Sequence, residues 1–343
     1  MELSERKLKI LAAIVSSYIE NGEPVGSKSI ASDLGVSSAT VRNEMADLSE
    51  LGFLEQPHTS AGRIPSQRGY RLYIDHMMEK KPVTEREKNY MDSALHAGAY
   101  DPDRLLLNVS KVLAAITKLA AVSTTPSGNM AVVRAIQFVQ TSRRTAMIVL
   151  MSSAGTMKTR VFHCDFDLTP EILRIFFRVF NERLAGKPVS SITPAFIQTL
   201  GASLGEMMLL MSSALMALLE VANDTLETDV CLDGQVNLLF YPEYGGAKAF
   251  AMMQFLERSR EVARLLLNQP GEMQVLVGAE TGRPELAESG VVIARYAIGG
   301  EDAGAIGVIG PMRMDYSKTI ANLEYLSHSV GTCLTQLMRE ESY

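Results

Sequence analysis

Residues 36–71 read VSSATVRNEMADLSELGFLEQPHTSAGRIPSQRGYR, and the folding of this stretch decides what the N-terminal part of the chain is. Val41, Met45 and Leu48 recur at steps of four and three, which puts them on one face of a helix. Packing that face inward turns Ser38, Arg42 and Asn43 outward, with Ala39 and Thr40 near the helix start. Ser37 or Ser38 supplies an N-cap, Gly35 and Val36 make a tight turn, and the upstream SKSIASDL is a shorter helix that Ser27 can cap. Two helices joined in this way form a helix-turn-helix, whose second helix sends its N-terminal residues into the DNA major groove. Arg42 has the geometry to pair bidentately with guanine, and Asn43 with adenine. A plain helical hairpin with solvated polar residues has the same spacing.

The residues that follow separate these readings. GFLEQ is strand-like, the tract at 58–65 can turn at Ala61 and Gly62, and RIP can return as a second strand, giving a wing beside the recognition helix. Residues 1–81 hold ten Lys or Arg against eleven Asp or Glu, so this part of the chain is not basic as a whole. Between 56 and 74, however, Arg63, Arg68 and Arg71 occur without any acid. Arginines placed this way grip phosphates or enter a minor groove, and Thr59, Ser60 and backbone N–H groups donate to phosphate oxygens. Gly69 and Tyr70 are read as setting the turn and packing it into the next helix. The whole chain carries a formal charge of -6, which argues against coating nucleic acid through bulk charge but leaves a local binding face open.

At 343 residues, 47% hydrophobic and 21% charged, the chain is expected to form two or three folded, water-soluble domains. Cys164, Cys231 and Cys333 lie far apart with no CxxC pair, which predicts reduced core thiols and no zinc site. No cofactor or metal is implied. The N-terminal RKLKILAAIVSSYIENG has one apolar helical face and no small-residue cleavage site, so it is expected to be a helix rather than a signal peptide. The apolar run Met207 to Leu219 is too short for a bilayer, which needs about 18–20 residues.

Composition divides the chain further. Lys80, Lys81 and Pro82 suggest a linker, after which Thr84 and Glu87 form a capping box. A helix carrying Leu105, Val109, Val112 and Ile116 leads to the strand-like runs AVVRAIQFVQ, TAMIVLM and TRVFHC, an antiparallel meander. Thr169–Pro170 and Thr193–Pro194 each begin a helix. The second helix carries Ile197, Gly201, Leu204, Met208, Met211, Leu215, Leu218 and Ala222 in a heptad-like seam, and its other faces are apolar too, which suggests a helix between two layers. That seam fits core packing and a subunit interface equally. Strands return from about Met273, and a closing helix carries Leu323, Leu326, Val330, Leu334 and Leu337. A sheet interrupted by a helical block and then resumed is the pattern of one domain inserted in another.

Catalysis finds no residue set. The glycines of GGEDAGAIGVIGP lie between strand-like runs, not between a strand and a helix, so they do not make a phosphate loop. The five histidines form no HExxH, and SSAG at 152–155 is no GxSxG nucleophile elbow.

Four stretches together, PVGSKSIA, SSATVRNEMADLSELGFLEQPHTSAGRIPSQRGYR, LLFYPEY and GAIGVIGPMRMDY, closely resemble the HrcA family, bacterial repressors of heat-shock chaperone operons. The resemblance runs from near residue 5 to near residue 335. Ser66 stands where the family often has threonine, and the tyrosine of FYPEY where phenylalanine is common. The resemblance implies an α+β multidomain chain: an N-terminal winged helix-turn-helix at 1–81, a GAF-like α/β domain with an antiparallel sheet at 82–168 and 246–343, and an inserted, mostly helical dimerising domain at 169–245. It implies a cytoplasmic homodimer on double-stranded DNA at the CIRCE inverted-repeat operator of groE and dnaK operons, its activity modulated by the GroEL chaperonin. The DNA-binding role carries onto Ser38, Thr40, Arg42, Asn43, Thr59, Ser60, Arg63, Arg68 and Arg71, and dimerisation onto Leu204, Met208, Met211, Leu215 and Leu218. A metabolite-sensing regulator is the alternative, because GAF-like domains often hold a small ligand.

Overall fold

The computed structural model describes residues 3–58, 61–97, 101–126, 128, 131–153 and 155–340, with side chains to Leu337. Its N-terminal part begins with α1 (Glu5–Asn21), α2 (Ser27–Leu34) and α3 (Ser38–Glu50). Gly22 and Gly35 end the first two helices at φ 69° and 65°, a left-handed conformation that glycine adopts without penalty. Ser37 caps α3 by accepting from the Thr40 N–H at 3.0 Å. Gly26, not Ser27, caps α2, and the Ser27 hydroxyl instead lies 3.1 Å from that of Ser38, tying the two helices together.

After α3 come β1 (Leu54–Glu55) and β2 (Ile64–Pro65), paired antiparallel, then α4 (Gln67–His76). Arg63 and Val25 exchange both backbone hydrogen bonds at 2.9 Å, so the α1–α2 connection joins the ribbon. A Cβ on Gly62 would collide with the Val25 carbonyl, which is why glycine stands there. Ile10, Leu11, Ile14, Val15, Ile30, Val41, Met45 and Leu48 are buried together, as the helical spacings require.

Thr84 and Glu87 close the expected capping box at the start of α5 (Glu85–His96), which is followed by α6 (Pro102–Thr117) and β3 (Ala120–Thr124). The sheet that β3 enters runs β7-β3-β10-β9-β8 and is antiparallel throughout, with β7 (Val230–Asp233), β8 (Met273–Val277), β9 (Ser289–Ile298) and β10 (Glu301–Pro311). Both faces are covered. A Cβ on Gly307 would meet Leu266 of α11 (Ser259–Leu267), whereas one on Gly290 would meet Tyr316 at the start of α12 (Tyr316–Glu340). Burial on both faces explains why β9 and β10 read as continuous apolar runs. The helix before α11, α10 (Ala247–Glu257), buries Met252, Phe255 and Leu256.

Between β3 and β7 the chain leaves this sheet and builds a second core. There β4 (Val133–Gln140), β5 (Thr145–Ser152) and β6 (Met157–His163) form a separate three-stranded antiparallel sheet, packed under α7 (Pro170–Leu184), α8 (Pro194–Ser203) and α9 (Met207–Leu226). The meander therefore belongs with the helices and not with the interrupted sheet, so the inserted body carries a sheet of its own beside its helices. Its edges also differ from the expected 169–245. Thr125 N–H donates to the Asp229 carbonyl at 2.9 Å, and Asp229 N–H donates to the Thr125 hydroxyl at 2.9 Å, so the excursion leaves and returns at a neck near 125 and 229. The physical reason lies in β5, which alternates buried and half-buried residues, because only one face of its sheet is covered.

The seam expected on one long helix is broken: α8 stops at Ser203 and α9 starts at Met207, with Gly205 between them at φ 57°. Met211, Leu215 and Leu218 are buried within the chain against β5 and β6. They are core residues, which corrects the expectation of an interface for these three. Nor does α9 lie between two layers, since Met208, Leu209, Leu210 and Met216 are exposed. The helix continues past the 13-residue run and is long and apolar enough, by length and composition, to cross a bilayer. Here its Glu220 and Asp224 pair with Arg160 of β6.

Candidate nucleic-acid interface

The first turns of α3 carry the residues best placed to meet DNA. Arg42 and Asn43 are exposed, and neither makes a side-chain hydrogen bond or ion pair among the described residues. Ser38 is half-buried, its hydroxyl on Ser27, and the Thr40 hydroxyl lies 2.8 Å from that of Ser37, so both hydroxyls first serve the helix start. Behind this edge two acids of α3 are met by a cation of α1: Lys7 Nζ lies 3.2 Å from Glu44 and 2.9 Å from Asp47. Neutralising the back of α3 in this way leaves its leading edge electropositive.

The arginines after α3 take three different positions. Arg63 sits at the base of the wing, half-buried, with its backbone bonded to Val25. Arg68 donates to the Leu51 carbonyl at 3.2 Å and lies over the Phe53 ring at 5.1 Å. That holds it at the C-terminal end of α3, about 20 Å of helix away from Ser38 at 1.5 Å per residue. Arg71 points elsewhere again. It donates to the Val275 carbonyl at 2.7 Å, pairs with Glu280, and lies 3.2 Å from Asp75. Burial opposes ionisation of Glu280, yet the bonds it receives from Arg71 and the Val277 N–H hold its carboxyl below the usual range. Arg71 is therefore committed to the body of the chain, which corrects its expected place on a DNA face: an arginine already satisfied by a carboxylate and a carbonyl has no free fork for phosphate. Thr59 and Ser60 lie outside the described residues.

Lys28 is a residue the sequence reading passed over. It is exposed in the first turn of α2, where helix N–H groups also point outward. Among the described residues of 3–78, Lys28, Arg42, Arg63 and Arg68 are the cations with no acid within ion-pairing distance. The signal that could have found Lys28 is its place in GSKS, just inside a helix start. Tyr70, read as a packing residue, is buried with its ring 6.3 Å from that of Tyr316.

A helix with an exposed Arg-Asn pair at its leading edge, backed by a supporting helix and flanked by a two-stranded ribbon, defines a winged helix-turn-helix DNA-binding protein, joined here to an α+β body with antiparallel sheets. The family model described as "Winged helix-turn-helix transcription repressor, HrcA DNA-binding" matches residues 2–78, and that described as "HrcA protein C terminal domain" matches residues 103–320. The chain belongs to the HrcA family of heat-inducible transcription repressors. It is 33% identical to the heat-inducible transcription repressor HrcA of Acetivibrio thermocellus, over 99% of both chains. With the HrcA of Clostridium botulinum strain Eklund 17B it shares 36% identity over 94% of this chain and 95% of that one. A solved structure described as a hypothetical protein at 2.2 Å resolution has the same fold, with a TM-score of 0.68 and 22% identity over 98% of this chain and 100% of that one. The protein is a transcription repressor and not an enzyme.

Proposed function

We propose that the protein represses groE and dnaK operons by binding the CIRCE inverted repeat as a cytoplasmic homodimer, with GroEL maintaining the binding-competent form. The observation that carries this reading is the exposed Arg42 and Asn43 at the leading edge of α3, whose side chains have no partner among the described residues. One chain offers one such edge, and an inverted repeat presents two half-sites, so a two-fold symmetric pair is the matching reader. Arg42 and Asn43 read base edges, Ser38 and Thr40 set the helix start against the backbone, and Arg63 and Lys28 meet phosphates. Arg68 contributes at most its charge.

The inserted body is the proposed dimerising part, with its contact moved off the buried seam. Leu204 is half-buried and Met208 exposed, and beside them Leu209 is 83% and Met216 55% exposed. Apolar side chains that cluster and stay open to water favour association with a second copy. Helices on both faces of the five-stranded antiparallel sheet support the GAF-like reading of the body.

Gel shifts on inverted-repeat DNA, with and without GroEL and ATP and before and after a heat pulse, test the proposal. Retarded DNA that needs both half-sites and is restored by GroEL after heating supports it; binding indifferent to both would sink it. A small-molecule-sensing repressor is the second reading, favoured by a cavity of about 990 Å³ lined by Arg295, Tyr296, Asp302, His328 and Thr332. Operator binding that required a small molecule from cell extract and ignored GroEL would select it.

A further inference from the structure

Two of the stretches that marked the sequence, LLFYPEY and GAIGVIGPMRMDY, meet where the winged helix joins the body. Arg313, in the turn between β10 and α12, donates from Nε to Glu243, in the single 3-10 turn Pro242–Tyr244 before α10. Both side chains are mostly buried, at 17% and 20% exposure. The same guanidinium lies over the Tyr241 ring at 5.3 Å. It also packs flat on the end of α1, since a Cβ on Gly22 would fall 2.9 Å from its Cζ. The C-terminal end of a helix carries partial negative charge, so a cation seated there is favourable, and Gly22 is the residue that lets it approach.

Three further contacts join the same two parts. The Tyr70 ring meets Tyr316, Arg71 meets Glu280, and Ser317 accepts from Lys81 N–H at 2.8 Å while donating to the Glu79 carbonyl at 2.5 Å. The Arg71 and Ser317 contacts follow the wing, on α4 and the linker. Arg313 alone of these reaches the end of α1, so the winged helix meets the body through α1 as well as through α4 and the linker. A winged helix held at the end of α1, on α4 and at the linker has no free rotation about that linker.

We propose that Arg313 and Glu243 are positioning residues for operator recognition: by clamping the end of α1 to the body they fix the angle of the winged helix, and with it the separation of the two recognition helices in the dimer. The inference rests on the dimeric, inverted-repeat reading above. Neither residue is part of the DNA-facing set, so a purely local role would leave the choice of half-site spacing untouched.

The test uses full-length protein carrying Arg313→Gln or, as the milder change, Glu243→Gln, with thermal unfolding measured first to confirm folding. Binding is then compared on a single half-site and on inverted repeats whose halves are moved apart or together in single base-pair steps. Either variant should bind the preferred repeat about tenfold more weakly, within the usual range of coupling between linked sites. Half-site affinity should be unchanged, and the dependence on spacing flatter than in the unaltered protein. A spacing profile as sharp as that of the unaltered protein, or a loss on the half-site equal to that on the repeat, overturns the inference. If the unaltered protein itself binds half-site and repeat equally, the dimeric reading fails and takes the inference with it, a result separable from a failure confined to the variants.

Discussion

Arg71 and Glu280 form a two-point ion pair, Nε to Oε1 at 3.1 Å and Nη2 to Oε2, although 209 positions separate them in the chain. The pair fastens the helix after the wing to the turn after β8, and Gln67 adds a bond from the Ala279 N–H at 3.2 Å. Both side chains are about a third exposed, so solvent screens the pair. Arg71→Ala is expected to cost about 1 kcal/mol in unfolding free energy, chiefly because the bonds to Glu280 and the Val275 carbonyl disappear. The salt dependence of DNA binding should stay unchanged in the same variant. A flatter salt slope would return Arg71 to the DNA face.

The same pair sets a pH dependence whose sign is fixed. The Glu280 carboxyl is held below its usual range in the folded protein, so its contribution is fully present above the unfolded value of about 4.3 and is lost as pH falls through the lower folded value. The stability gap between the unaltered protein and Glu280→Gln should therefore be widest near neutral pH and close on acidification. Denaturant melts of both proteins from pH 7 to pH 3 check this, and a gap that does not change with pH would count against it.

The winged helix was legible in the sequence because its signals are local. Gly35 ends one helix, Ser37 caps the next, and Val41, Met45 and Leu48 repeat at helical steps, each within a few residues of its partner. Arg71 was not legible, because its partners at 275 and 280 are brought in only by the fold of the rest of the chain. The seam of Met211, Leu215 and Leu218 was legible as a seam but not as core, since an interface and an interior require the same apolar period. The edges of the inserted body were misplaced for a related reason: alternation marks β5 as a strand with one buried face, but nothing in it names the sheet it joins.

Arg42→Ala is expected to weaken operator binding by about 1–3 kcal/mol and to relax the choice at one base position, the loss that follows when a bidentate base contact is removed. Because the Arg42 side chain is exposed and makes no hydrogen bond or ion pair among the described residues, folding stability should be untouched. Competition against a set of single-base operator variants reads the effect. An unaltered preference profile would remove Arg42 from the readout and leave Asn43 as the candidate.

Arg63→Ala and Lys28→Ala should each weaken specific and random DNA alike, flattening the slope of log affinity against log salt by about one for each phosphate no longer neutralised. The two differ in a second respect. Lys28 is exposed on α2, whereas Arg63 is half-buried at the wing base with its backbone bonded to Val25, so its side chain also packs the ribbon. Arg63→Ala should therefore show a small loss of stability that Lys28→Ala lacks. A changed base preference with an unchanged salt slope in either variant would reassign that residue from phosphate to a groove.

The corrected seam yields a pair of opposite outcomes on one helix. Leu215 is 3% exposed in the inserted core, so Leu215→Ala should cost about 2–5 kcal/mol of stability, from the apolar burial it removes and the cavity it leaves behind. Leu209, six residues earlier and 83% exposed, should tolerate glutamate within about 0.5 kcal/mol, the usual span for open surface positions. If the open end of α9 is where two copies meet, Leu209→Glu should instead shift the protein from dimer toward monomer in sedimentation, and operator binding should fall toward half-site affinity. Unfolding melts and sedimentation velocity on the two variants separate these effects. A dimer that survives Leu209→Glu at micromolar concentration would move the interface away from α9, to another exposed surface of the inserted body.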